Sequence, residues 1–209
     1  MDFISARNNM VESQVRTNDV TGLELQHAMR QVARERFCAP ARAFAAYAEA
    51  DVEIAPGRCL MKPRDVGKLL QAAAPRAGEK ALAIAAPYAA AVMAAMGLEV
   101  VAQEADARAA AVVEQGLAEA GVKLVLEDFH QPAGEGFDLI VCEAALAAEP
   151  EAWLNALKPG GRLAVVLRDG PVGKARLFLK GERSASSREL FDSTPAMLAG
   201  FERVPTFQF

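Results

Sequence analysis

The chain has 209 residues, 52% of them hydrophobic, with 23 basic side chains against 27 acidic ones and a net charge of −4. It is long enough to bury a core without staples, and the acidic balance excludes a protein that holds nucleic acid mainly by charge. About a fifth of the residues are alanine, which favours helix and close packing and brings no chemistry.

The N-terminus, Met1 to Arg16, is polar and lacks the apolar stretch of a secretory signal. Thr21-Gly22-Leu23-Glu24 fits a capping box. Leu25, Ala28, Met29, Val32 and Ala33 then recur at helical spacing. A short helix is expected over Ala41–Ala48, an extended piece over Asp51–Ile54, a Pro56-Gly57 turn and a helix over Asp65–Ala74.

From Lys80 the rhythm changes. Apolar runs at Ala81–Ala85, Leu98–Ala102, Val122–Leu126, Phe137–Cys142 and Gly161–Leu167 read as strands. Helices are expected over Pro87–Met96, Ala105–Ala120 and Pro150–Leu157. Apolar strands alternating with helices predict an α/β fold, a mostly parallel sheet covered on both faces. After Asp169 the pattern becomes hairpin-like, with strands at Ala175–Lys180 and Arg188–Phe191. One domain over 1–209 is expected, with a helical cap region over 1–78 and an α/β core over 79–209. Phe201, Phe207 and Phe209 predict a tail that packs.

The most apolar window, Ala81–Met96, is too short to span a bilayer. Cys38, Cys59 and Cys142 are odd in number and far apart, which predicts idle thiols and a cytoplasmic protein. His27 and His130 have no ligand spacing, so no metal is expected.

Ligands of such sheets sit at the carboxyl ends of the strands. Glu104, after the second strand, could accept hydrogen bonds from both hydroxyls of a ribose. Asp128 and Phe129, after the third, could meet an adenine amino group and stack on its ring. Glu143 follows the fourth strand, and Pro159-Gly160-Gly161 precedes the fifth. Each carboxylate could equally be a solvated loop residue, and Phe129 a core residue.

Over nearly its whole length the chain resembles the protein-L-isoaspartate O-methyltransferases, class I enzymes using S-adenosylmethionine. Met10-Val11-Glu12-Ser13-Gln14-Val15-Arg16 is similar to the family's opening helix. Val20-Thr21 and Ala28-Met29-Arg30-Gln31-Val32-Ala33-Arg34-Glu35-Arg36-Phe37 are similar to its next signature. Phe137–Val141 with Glu143-Ala144-Ala145 and the Pro-Gly-Gly turn resemble its later half. The resemblance implies a Rossmann-like methyltransferase fold with an N-terminal helical cap and an antiparallel strand addition at the C-terminal end. It implies methyl transfer to isoaspartyl carboxylates of damaged proteins, a protein or peptide as substrate, and Glu104, Asp128, Phe129 and Glu143 as cofactor contacts.

Two departures fall where the chemistry belongs. The family's first strand runs into a glycine-rich loop, whereas here Ala85-Ala86-Pro87-Tyr88 follows, with no glycine between Gly78 and Gly97. That turn is about three residues shorter and is expected to be too tight for the methionyl end of the cofactor, with Tyr88 across the remaining space. Where the family's serine and threonine meet substrate, the matching stretch Gly57–Pro63 carries Cys59 and Met61. Three readings stay open: an active carboxyl methyltransferase, a non-catalytic methyltransferase fold that binds a partner or serves structure, and a nucleoside or nucleotide binder.

Overall fold

The computed structural model describes residues 2–203, so Phe207 and Phe209 lie outside the described residues. The N-terminal third contains α1 (Phe3–Met10), α2 (Leu23–Gln31), an antiparallel hairpin of β1 (Val52–Ala55) and β2 (Arg58–Leu60), and α3 (Pro63–Ala73). Then β3 (Lys80–Ile84), α4 (Pro87–Ala95), β4 (Glu99–Glu104), α5 (Ala107–Glu119), β5 (Lys123–Leu126), β6 (Phe137–Leu146), α6 (Glu151–Ala156), β7 (Leu157–Leu167), β8 (Gly173–Lys180) and β9 (Ala185–Ser193) follow.

Seven strands form one sheet in the order β5-β4-β3-β6-β7-β8-β9. The first five are parallel, and β8 and β9 add antiparallel after β7. The first strand of the alternating series, β3, lies in the interior of the sheet. Ala81, Leu82, Ala83 and Ile84 are all fully buried, which explains a run with no polar alternation. Helix α4 carries no polar face because it is buried from Pro87 to Met93. Helix α5 buries Ala109, Ala110, Val113, Gly116 and Leu117, one stripe at helical spacing.

The helices of the N-terminal third pack on the outside of the sheet layer, α2 against α3 and α4 and α3 against β6, β7 and β8. The hairpin β1–β2 reaches the carboxyl end of β4, where Arg58 meets Glu104.

Four local expectations need correction. Thr21 makes no capping box: Gly22 is the N-cap of α2 without a side-chain bond. The Thr21 and Gly22 amides instead donate to Gln71 Oε1 on α3, at 2.5 and 3.0 Å, a tertiary partner that sequence spacing could not show. Helix α2 stops at Gln31, because Val32 is already extended. Strand β4 runs on to Glu104 and β6 to Leu146, so Glu104 and Glu143 lie within strands, not after them. The Pro159-Gly160-Gly161 turn is a bulge inside β7, where Phe137 pairs with Leu157 but Leu139 pairs with Arg162.

Candidate cofactor site

The turn from β3 to α4 is the place to begin, since a strand–turn–helix unit presents backbone N–H groups to an anion. Ala85 is fully buried and adopts φ +51°. An L residue in that region costs roughly 1–2 kcal/mol, and a glycine would carry no such cost. Its amide donates to the Gln103 carbonyl of β4 at 3.0 Å, which fixes the turn. Ala86 and Tyr88 are buried as well, and Pro87 at the helix start removes one donor. The Tyr88 ring stands edge-on to Phe37, with the Arg34 guanidinium 4.6 Å above it.

The Ala89 amide, in the first turn of α4, already has a partner. Ala89 N–H donates to Glu143 Oε1 at 2.7 Å, and Met61 N–H donates to Glu143 Oε2 at 3.3 Å. Glu143 is fully enclosed, and burial pushes its carboxyl above the usual range, against the pull of Arg34 and of these two amides. The positive end of α4 is thus matched by a carboxylate of the chain itself.

Glu104 is equally engaged. The Arg58 guanidinium donates Nε–H to Oε1 and Oε2 at 3.2 Å and Nη2–H to Oε2 at 2.8 Å. The Ala105 and Asp106 amides donate to Oε1 at 3.0 and 3.2 Å. The two side chains are only 4% and 3% exposed. The same guanidinium lies 5.9 Å from the centre of the Phe129 ring, which is itself buried. Arg58 therefore fills the space between the two residues expected to bracket a nucleoside.

Asp128 stands apart from this cluster. Its side chain is exposed and bonded to its neighbour, with the His130 amide at 2.9 Å and His130 Nδ1 at 2.8 Å. These bonds hold the Asp128 carboxyl below its usual range, the backbone bond first. Glu104 and Asp128 lie at the same end of the sheet but do not converge on one open cleft. What remains open is a shallow cleft of about 460 Å³ bordered by Gly57, Arg58, Ala105–Arg108, Asp128 and Phe129.

Cys59 is half-buried on β2 opposite Glu53, and burial raises its thiol pKa. Met61 is buried, and its main chain does the bonding: its carbonyl accepts Arg34 Nη2–H at 2.6 Å. Burial pushes the Cys38 and Cys142 thiols up to about 11 and about 12, so both are poor nucleophiles. Among the described residues no group of three or more His, Cys, Asp or Glu could hold a metal, and no helix is long and apolar enough to cross a membrane.

Sequence reasoning missed Arg58, Arg34 and Gln103. Gln103 clamps the loop after β5, donating to the Asp128 and Gln131 carbonyls at 2.9 and 2.8 Å and accepting from the Ala133 amide. One signal was available for Arg58. Pro56-Gly57 between Val52-Glu53-Ile54 and Arg58-Cys59-Leu60 is a turn flanked by alternating residues, the mark of a hairpin.

Residues 5–189 match the family model described as protein-L-isoaspartate(D-aspartate) O-methyltransferase. A protein-L-isoaspartate O-methyltransferase of Methylorubrum populi is 36% identical over 194 residues, 88% of this chain and 91% of the relative. One from Methylorubrum extorquens is 35% identical, with 93% and 87% covered. A Plasmodium falciparum structure named for the same activity, in complex with S-adenosyl-L-homocysteine, superposes with a TM-score of 0.79 at 16% identity, covering 92% of this chain and 97% of that one. Another solved protein-L-isoaspartate O-methyltransferase gives a TM-score of 0.78 at 19% identity, with 93% of this chain and 66% of its own covered. Sheet order, helical cap and a match running through both make the assignment: the chain belongs to the protein-L-isoaspartate(D-aspartate) O-methyltransferase family.

Proposed function

We propose that this chain is a non-catalytic member of its family, a methyltransferase fold that binds a partner protein and transfers no methyl group. The residues present do not fit S-adenosylmethionine, the cofactor that membership implies. The observation that carries this reading is Glu143 on the Ala89 amide. The cofactor's own carboxylate needs donors at the start of that helix, and the chain supplies a rival carboxylate there, beside a turn of buried alanines. Arg58 on Glu104 supports the same reading from the nucleoside side.

Methyl transfer to a carboxylate asks little beyond this. The acceptor is already nucleophilic and the sulfonium a strong electrophile, so catalysis is in-line positioning and exclusion of water. A missing base would weigh little, whereas the filled cofactor cradle supports the non-catalytic reading. For a binding role the cap offers three apolar side chains, Ile4, Leu23 and Phe44, each more than 60% exposed. The partner is taken to be a protein, as the family's substrates are. Three free cysteines fit a reducing, cytoplasmic setting.

A second reading, active protein-L-isoaspartate methyl transfer, is favoured by the full-length match to relatives bearing that name. Incubating the purified chain with labelled S-adenosylmethionine and an isoaspartyl peptide separates the two. The proposal expects no labelled methyl ester above the no-enzyme blank. Labelling that saturates with peptide would establish the second reading.

A further inference from the structure

We infer that Arg58 is a built-in ligand of the nucleoside half of this pocket, and that beneath it the chain retains a site for a nucleoside with a vicinal diol. The inference rests on the reading above that the pocket is filled by the chain's own side chains.

A guanidinium presents two roughly parallel N–H donors to a carboxylate. A ribose presents two hydroxyl donors on adjacent carbons, with similar reach. Glu104 accepts from Arg58 in the two-pronged way it would accept from such a diol. The guanidinium also lies against the Phe129 ring, the place a base would take. Arg58 thus satisfies both features at once, the buried anion and the aromatic face.

The rest of the subsite is formed independently of Arg58. Glu104 is held by the Ala105 and Asp106 amides. Phe129 is held by its carbonyl, which accepts Trp153 Nε1–H at 2.7 Å. The loop beside it is clamped by Gln103. A cleft already lies against Arg58 on the outer side, bordered by the 105–108 loop and Asp128. Removing the Arg58 side chain joins that cleft to Glu104. The methionyl side would remain blocked, since Glu143 and the Ala85 turn are untouched.

Thermal unfolding of the wild type, Arg58→Ala and the double variant Arg58→Ala/Glu104→Ala tests this, each with adenosine or 2′-deoxyadenosine in millimolar excess. Arg58→Ala is expected to melt roughly 5–15 °C lower, because Glu104 is left buried and unpaired. Adenosine should recover several degrees of that loss. The deoxynucleoside, with one hydroxyl fewer, should recover much less. The wild type and the double variant should respond to neither. An Arg58→Ala protein that folds and ignores adenosine overturns the inference and leaves the non-catalytic reading standing. Equal response of the wild type and Arg58→Ala overturns it too, since Arg58 would not be in the way. Binding of S-adenosylhomocysteine by the wild type would instead sink the earlier reading. If Arg58→Ala does not fold, Arg58→Gln is read by the same criteria.

Discussion

Arg58 and Glu104 bury opposite charges at the hairpin–sheet junction, and removing one leaves the other without its counter-charge. Arg58→Ala should therefore cost about 3–5 kcal/mol, whereas Arg58→Met with Glu104→Leu should cost far less. Urea unfolding of both variants checks this, and equal losses would show that packing, not charge, sets the effect. Glu143 behaves differently because burial raises its carboxyl. A raised carboxyl contributes stability that is present below its ordinary range and fades as pH rises through the raised value. The urea midpoint of the wild type relative to Glu143→Gln should thus fall as pH rises above the ordinary carboxylate range. A pH-independent difference would contradict the assignment. His130 pairs with Asp128 and its pKa is raised, by that bond first. Its ring resonances should titrate above 6.5, the ordinary value, and move down in Asp128→Asn. At this scale the sequence marks Glu104, Asp128 and Glu143 by their places at strand ends, but not what binds them. Arg58 meets Glu104 across 46 residues, and Met61 meets Glu143 across 82, distances at which no local pattern operates.

At the scale of elements, the parallel core is legible because strands buried on both faces must be apolar throughout, as in Ala81–Ile84. The hairpin β1–β2 is signalled by its Pro56-Gly57 turn alone, because β2 is three residues long and its Arg58 and Cys59 break the apolar run. The N-terminus of α2 is misread because Gln71 from another helix does the work of a cap. Two alanines sit in the left-handed region, and they should respond differently to glycine. Ala74 ends α3 at φ +48° and is exposed, so nothing is lost with its methyl. Ala74→Gly should stabilise by about 0.5–1 kcal/mol, a rise of a few degrees in Tm. Ala85→Gly relieves similar strain but gives up a buried methyl worth about 0.8 kcal/mol, so its net effect should be close to zero. Calorimetry on the two variants checks the pair, and destabilisation by Ala74→Gly would contradict the strain argument.

For the whole molecule, residues 1–78 and 79–209 are proposed to fold as one unit. Buried bonds tie them: Arg58 to Glu104, Met61 to Glu143, and Arg162 to the Ala73 carbonyl at 2.8 Å. The chain's one tryptophan, Trp153, is buried in α6 on the core side and reports that side alone, whereas far-ultraviolet dichroism includes the cap helices. Their unfolding curves should coincide. An early dichroism transition would show a cap that melts by itself.

The central claim is that the chain's own side chains hold the cofactor pocket. Isothermal titration of the wild type with S-adenosylhomocysteine tests it most directly, because the ligand probes the adenosyl and amino-acid ends together and needs no turnover. The account predicts no heat beyond dilution up to millimolar ligand. A saturable isotherm with one site per chain would contradict it.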